Sequence, residues 1–199
     1  MEKISGRIGH PFVRFVRRRE ILKSALGIGL GLRSIDWAAA QETDPGVDAP
    51  QVNDLFVFAE GDLEGEIIAP DDVPLSGPPV AAFPMDLKSG LVRKGSRLNR
   101  VVLIRLAPQE IAESTRLHSA EGILAYSAVC THTACDISEW IAEERNLLCP
   151  CHGSKFDVRD GARVMNGPAP RKLAMLPLKV SESRLMAAGS FIGRVGSKK

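Results

Sequence analysis

Short apolar runs separated by turn residues dominate the second half of the chain. Residues 100–106 are the clearest case, because β-branched side chains fill a segment bounded by turn residues. Residues 122–129 and 146–148 are similar and lead directly into cysteines. Further runs separated by Gly, Pro or Asp cover residues 155–159, 176–180 and 185–192. Many short strands with frequent turns predict an antiparallel all-β domain.

Residues 60–97 are rich in proline. Five prolines interrupt short apolar segments there: Pro70, Pro74, Pro78, Pro79 and Pro84. Proline lacks a backbone N–H and has a fixed φ, so this density predicts neither a long helix nor a central strand. By contrast, residues 108–113 begin with Pro108 followed by acids, which predicts the start of a short helix.

The N-terminal segment has the features of an export signal. Residues 17–23, RRREILK, resemble the twin-arginine signal with Arg18 and Arg19 as the pair, although Arg17 stands where Ser or Thr is usual. The apolar run 24–32 is far shorter than the ~20 residues that span a bilayer. Ala38 and Ala40 have the small-residue form of a cleavage site. We expect export to the periplasmic side of the cytoplasmic membrane, a soluble product if cleaved near Ala40, and membrane attachment only if the segment is retained.

Charge supports the same division of the chain. Of 26 basic and 24 acidic residues, residues 1–40 hold eight and three, which leaves a body with 18 basic and 21 acidic residues. This distribution argues against nucleic-acid binding. We therefore predict a signal segment over residues 1–40, a flexible Pro- and Asp-rich linker over 41–55, and one domain over 56–195.

Two short boxes contain all four cysteines and two of the four histidines. Residues 130–135 read CTHTAC and residues 149–154 read CPCHGS, each at the end of a predicted strand. Thiolate and imidazole ligands suit zinc or iron–sulfur centres rather than calcium or magnesium. Zinc sites usually pair cysteines with each other and histidines with each other, whereas each box here mixes the two. A set of two thiolates on one iron and two imidazoles on the other is the ligation of a Rieske [2Fe–2S] centre, with a zinc module as the alternative. His10 and His118 lie outside the boxes and are interpreted as leader and surface residues.

The two boxes resemble those of the high-potential, disulfide-bearing Rieske proteins, and the resemblance covers about residues 126–173. It implies one [2Fe–2S] cluster, bound by Cys130 and Cys149 on one iron and by His132 and His152 on the other. It also implies a Cys135–Cys151 disulfide. The expected fold is a Rieske-type antiparallel β-sandwich with a small cluster-binding subdomain.

The resemblance assigns roles to further residues. Ser154 matches the serine whose hydroxyl donates toward the cluster, and residues 167–170, GPAP, resemble the proline loop that covers it. Phe156 stands where a hydrogen-bonding Tyr is common, so we expect a high potential, but below that of a relative with both donors. Ala134 replaces a glycine and would be strained at positive φ. Thr133 replaces a large apolar residue that touches the quinone pocket in cytochrome bc complexes.

The function implied is one-electron transfer in the periplasm for a redox enzyme complex. Candidate partners are a cytochrome c, a cytochrome bc complex or a molybdenum-type oxidase such as arsenite oxidase, with quinol as a further candidate. The alternative is the iron–sulfur subunit of a quinol-oxidising cytochrome bc-type complex. Gly153-Ser154 and a hinge-like linker favour that alternative, whereas Thr133 and the short leader count against it. The sequence has no nucleophile–base pair, phosphate loop or flavin motif, so any catalysis would belong to the assembly.

Overall fold

The structure is a computed structural model that describes residues 45–197. Within these residues one four-residue helix, α1 (Glu113–Arg116), accompanies eleven short strands. The strands are β1 (Leu55–Phe58), β2 (Val80–Met85), β3 (Val101–Arg105), β4 (Ile123–Ser127), β5 (Glu139–Ile141), β6 (Asn146–Cys149), β7 (Ser154–Asp157), β8 (Arg163–Asn166), β9 (Met175–Leu176), β10 (Leu178–Ser181) and β11 (Arg184–Ala187).

The strands form two antiparallel sheets. Seven strands lie in the order β10-β11-β1-β2-β3-β4-β9, and β5-β6-β7-β8 form a smaller meander. Every pairing between named strands is antiparallel. The predicted all-β fold with a small subdomain is confirmed, and the meander contributes the second cysteine box.

Strand β3 explains how the core is divided. Val101 and Leu103 point into one apolar cluster, while Val102 and Ile104 point into another. Successive residues of a strand face opposite sides, so a strand covered on both sides has a continuous apolar sequence. The second of these clusters also contains Cys130 and Cys149. The apolar core on this side of the large sheet therefore reaches the first cysteine box.

Strand β2 corrects one prediction. The proline-rich region contains a central strand, since β2 lies between β1 and β3 and includes Pro84. Its pairing with β3 covers only Val80 to Ala82, so Pro84 lies past the last β3 pair and interrupts no β2–β3 bond. A central strand can therefore contain a proline at a position that lies beyond the last residue paired with the neighbouring strand.

Other boundaries also differ from the predictions. The run 176–180 is divided at Pro177 into β9 and β10, and the run 185–192 is strand only as far as Ala187. The predicted helix start at 108–113 is a 3₁₀ turn, Pro108–Glu110, followed by α1.

Residues 46–54, within the predicted linker, contact the domain. Asn99 Nδ2 donates to the Asp48 carbonyl at 2.7 Å, and Gly95 N donates to the Gly46 carbonyl at 3.0 Å. Asp54 forms a buried ion pair with Arg93 at 2.7 Å. The signal segment 1–40 lies outside the described residues, and the domain boundaries stay predictions. Among residues 45–197, no helix has the length and apolar character needed to cross a membrane.

Candidate metal centre

The first box is a tight turn at the end of β4. Cys130 N donates to the Cys135 carbonyl at 2.8 Å, and Ala134 N donates to the Cys130 carbonyl at 3.1 Å. Val129 and Asp136 pair as an isolated bridge that closes the base of the turn. Ala134 has φ of 61°, so the condition stated for strain at this residue is met and a side chain occupies a conformation that favours glycine.

The second box is the hairpin turn between β6 and β7. Cys149 pairs with Ser154 across the strands, and Gly153 N donates to the Cys149 carbonyl at 3.0 Å. Gly153 has φ of 71°, which a glycine adopts without strain. This turn exposes His152 while the flanking Cys149 stays buried.

A disulfide joins the two turns. Cys135 and Cys151 are bonded, with their Cα atoms 6.5 Å apart, so the predicted pairing is present in the structure. The Cys149 sulfur lies within 4.8 Å of both disulfide sulfurs. Because Cys135 and Cys151 are bonded to each other, they are not metal ligands, and Cys130 and Cys149 are the free cysteines of the described chain.

The four predicted ligands lie on facing turns. Both free cysteines are 1% exposed, and the rings of His132 and His152 meet edge to face with centroids 4.7 Å apart. His132 Nδ1 is buried and has no hydrogen-bond partner within the described residues. A buried imidazole nitrogen without a partner is costly unless a metal or another group occupies that position. These positions fit a cluster bound by two sulfurs and two imidazoles, and the assignment of individual ligands stays a prediction.

The protein environment of Cys130 also suits a metal. Burial raises the pKa of the Cys130 thiol, while the His132 backbone N–H and the Ser154 hydroxyl act in the opposite direction. A buried thiol of this kind is stable as a thiolate when a cation lies against it. The effect of these two groups favours the charged form that this sulfur would have in the metal-bound state.

The predicted proline loop packs on the second box. Ala169 N donates to Ser154 Oγ at 3.1 Å, which leaves the fully buried serine hydroxyl free to donate its own hydrogen. Gly167 has φ of 87°, and a Cβ added there would lie 2.5 Å from Ser154 Cα. Only glycine permits this approach of the two backbones.

One contact between loops was missed from the sequence. Thr131 Oγ1 donates to the Arg171 carbonyl at 2.6 Å, which ties the first box to the end of the proline loop. Thr131 is 1% exposed although it is polar. A threonine between two ligands gives no sequence signal for a partner forty residues away, so only the fold identifies it.

Phe156 and Thr133 have contrasting positions. Phe156 is fully buried in the apolar cluster that contains Cys130 and Cys149, and it pairs across strands with Leu147. Thr133 is exposed, and its Oγ1 lies 3.6 Å from Cys135 Sγ. The tip of the centre is therefore polar at residue 133.

These observations define an all-β protein in which two disulfide-linked turns present sulfur and nitrogen ligands to one metal centre. Residues 80–177 match the family model described as the Rieske [2Fe-2S] domain. Residues 80–177 of this chain are therefore a Rieske iron–sulfur domain, which holds one [2Fe–2S] cluster.

Curated relatives agree with this assignment. The chain is 46% identical over 98 residues to a cytochrome bc1 complex Rieske iron-sulfur subunit of Streptomyces lividans, covering 48% of this chain and 58% of that protein. It is 42% identical over 106 residues to a putative respiratory nitrate reductase subunit Rieske of Haloferax mediterranei, covering 52% and 47%. The matched segment thus spans about half the length of these two relatives.

Among solved structures, the ferredoxin of carbazole 1,9a-dioxygenase from Nocardioides aromaticivorans IC177 superimposes with a TM-score of 0.43 at 19% identity. The superposition covers 69% of this chain and 99% of that one.

Ala134→Gly should stabilise the protein. Glycine removes the strain of the positive φ, but it also gives the unfolded chain more conformational freedom. The net effect should be a rise of about 1 kcal/mol in the free energy of unfolding. Urea unfolding of the cluster-loaded protein measures this change. Ala81→Gly in β2, where φ is not positive, serves as the control and should be destabilising. Equal losses of stability from both substitutions would contradict backbone strain at Ala134.

Phe156→Tyr should raise the reduction potential. A new hydroxyl near the ligand sulfurs would favour the reduced, more negative state, and a differential of about 1 kcal/mol corresponds to roughly 40 mV for one electron. Protein-film voltammetry measures the shift. Phe191→Tyr, in the other apolar cluster, should leave the potential unchanged, and no change or a fall for Phe156→Tyr would refute the prediction.

Proposed function

We propose that this chain is a one-electron carrier of the periplasmic side of the cytoplasmic membrane that serves a redox enzyme complex. The observation that carries the proposal is the pair of disulfide-linked turns on which the predicted ligands Cys130, His132, Cys149 and His152 lie, with the two imidazole rings 4.7 Å apart. When bound there, a [2Fe–2S] cluster supplies reversible one-electron chemistry.

The protein divides the four ligands between interior and surface. Cys130 and Cys149 are buried, whereas His152 is exposed and His132 is half-buried. The apolar cluster around the cysteines and the proline loop over Ser154 exclude water from the sulfur side. The imidazole edge is therefore the side through which electrons enter and leave.

Export by the twin-arginine route is supported by the sequence of residues 17–23 and by chemistry. The Cys135–Cys151 disulfide suits an oxidising compartment rather than the cytosol. The twin-arginine route carries folded proteins, so a cluster assembled in the cytoplasm would travel intact. Cleavage near Ala40 would give a soluble carrier, and retention of the segment would attach it to the membrane.

The identity of the complex has two candidates. A carrier for a molybdenum-type oxidase or a related terminal enzyme, passing electrons to a cytochrome c, fits the polar, exposed Thr133. A subunit of a quinol-oxidising cytochrome bc-type complex is favoured by the 46% identity to the Streptomyces bc1 subunit. Quinol is a partner only in the second case.

Cell fractionation followed by N-terminal sequencing separates the candidates. A soluble periplasmic protein beginning near Gln41 supports the carrier. Co-purification of the membrane-bound protein with cytochrome b supports the bc-type subunit and contradicts the soluble carrier. Recovery of the folded, cluster-loaded protein only in the cytoplasm would contradict export altogether.

A further inference from the structure

The segment that follows β11 returns to the large sheet beside β9. Met175 N donates to the Ile192 carbonyl at 3.0 Å, and Ile192 N donates to the Met175 carbonyl at 2.7 Å. These two bonds form a short antiparallel bridge at the edge of the sheet. Residues 192–196, here called the strap, continue from this bridge to the first box.

The far end of the strap packs against the first box. Gly196 is buried, and a Cβ built on it would lie 3.3 Å from Val129 Cγ1 and 3.9 Å from Ala134 Cβ. Val129 directly precedes Cys130, and Ala134 lies within the turn. The strap therefore contacts the first box at two places, beside a predicted ligand and inside the turn itself.

Arg171 joins the strap to the same box. Its guanidinium donates to the Gly196 carbonyl and, at 3.5 Å, to the Arg194 carbonyl. Its own carbonyl accepts a hydrogen bond from Thr131 Oγ1 at 2.6 Å. Thr131 lies between the two predicted ligands of the first box. The residue that follows the proline loop therefore contacts both the strap and the ligand-bearing turn.

The Arg171 guanidinium is a costly group in this place. The residue is half-buried, and its Nε and Nη1 atoms are buried without a hydrogen-bond partner among residues 45–197. Within the same residues, no carboxylate lies within 4.0 Å of this guanidinium. A desolvated cation with only part of its donors satisfied lowers stability, and an apolar side chain would avoid that cost. What Arg171 contributes is therefore its bonds to the two strap carbonyls.

We propose that Arg171 is a positioning residue for the [2Fe–2S] centre, which acts by holding the strap against the first box. The held strap opposes local opening of the turn that carries Cys130 and His132, and so slows loss of the cluster. The inference rests on the proposed one-electron function, because a carrier must keep its cluster through repeated oxidation and reduction.

Arg171→Met tests this role, because it removes both strap bonds and keeps a long unbranched side chain. The open fraction of the first box should rise, and cluster loss should become about tenfold faster. Loss is followed by visible absorbance of the oxidised, cluster-loaded protein with excess chelator at fixed temperature. Stability in urea should stay the same or rise, because a partly unsatisfied buried cation is removed. Arg171→Lys, which can still donate to a carbonyl, should restore part of the retention.

Arg105→Met is the matched control. Arg105 is also half-buried, and its Nη1 donates to the Pro70 carbonyl at 3.3 Å. It pairs with Ile123 at the start of β4, the end of that strand away from the first box. We expect this substitution to leave the rate of cluster loss unchanged. Equal acceleration by the two substitutions would overturn the proposal, because general loosening of the domain would then explain both.

A second pair of variants tests the strap without a change at Arg171. Gly196 and Gly193 have φ of 66° and 95°, so alanine is strained at either position. An added Cβ would lie 3.3 Å from Val129 Cγ1 at Gly196, whereas the nearest atom at Gly193 is Ala174 Cα at 3.7 Å. We expect Gly196→Ala to accelerate cluster loss more than Gly193→Ala does. Equal rates for the two variants would contradict contact between the strap and the first box.

Hydrogen exchange locates the opening. Cys130 N and Ala134 N donate within the first turn, and Gly153 N donates within the second. Mass spectrometry of peptides from the loaded Arg171→Met variant should show faster exchange over residues 130–135 and unchanged exchange over residues 149–154. Equal acceleration in both boxes, or none in either, would overturn the proposal. This comparison does not depend on electron transfer, so a bound cluster that is not reduced reversibly would contradict the proposed function and leave the test of Arg171 intact.

Discussion

Gly167→Ala should destabilise the protein by about 3 kcal/mol and weaken cluster retention. The added Cβ would lie 2.5 Å from Ser154 Cα and 2.8 Å from Ser154 N, and these neighbours are backbone atoms that cannot rotate away. The proline loop would have to move off the second box, which would break the bond from Ala169 N to Ser154 Oγ. Urea unfolding and the rate of cluster loss at fixed temperature measure both effects.

Gly90→Ala separates steric clash from backbone strain. Gly90 has φ of 71°, similar to the 87° of Gly167, but nothing lies within 4 Å of its Cβ position. This control should cost only about 1 kcal/mol, the strain of the left-handed conformation, and should leave cluster retention unchanged. Equal losses from the two substitutions would show that the proline loop does not approach Ser154 as described.

Removal of the disulfide should have a comparable effect. The Cys135→Ser/Cys151→Ser double variant removes a covalent link between residues that are 16 apart in sequence. In the chain-entropy model, loss of such a link lowers the free energy of unfolding by about 3 kcal/mol. Both cysteines are replaced together because a single free thiol would remain within 4.8 Å of the Cys149 sulfur and compete for metal. The stability of the cluster-loaded protein in urea measures the change.

Reduction of the unmodified protein provides the control for this variant. Dithiothreitol should lower the stability of the original chain to that of the double variant and should have no further effect on the variant itself. A double variant as stable as the original chain, or one that dithiothreitol destabilises further, would contradict a structural role for this bond.

The sequence predicted the candidate metal ligands better than the contacts that hold their turns in place. Side-chain type and spacing alone identified Cys130 and His152 as candidate ligands, because mixed sulfur and nitrogen donors in two short boxes are uncommon. The strand into the first box was also predicted, since β4 is fully buried and reads as a continuous apolar run. Local sequence is sufficient where chemistry or burial constrains each residue.

Features that depend on distant partners could not be predicted in this way. A central strand was excluded from residues 60–97 because of their proline density, and only the shorter pairing with β3 explains why Pro84 is accepted in β2. Likewise, the Thr131–Arg171 contact joins residues forty positions apart, and neither residue type indicates a partner. The positive φ of Ala134 was considered only as a condition for strain and was not predicted, since alanine itself gives no such signal.

Low-temperature electron paramagnetic resonance of the dithionite-reduced protein, with iron and sulfide quantified on the same sample, tests the central claim most directly. A centre shared by Cys130, His132, Cys149 and His152 predicts two irons and two sulfides per chain and a rhombic signal typical of mixed thiolate and imidazole ligation. A single zinc ion in place of iron, or reduced iron without that rhombic signal, would contradict the account.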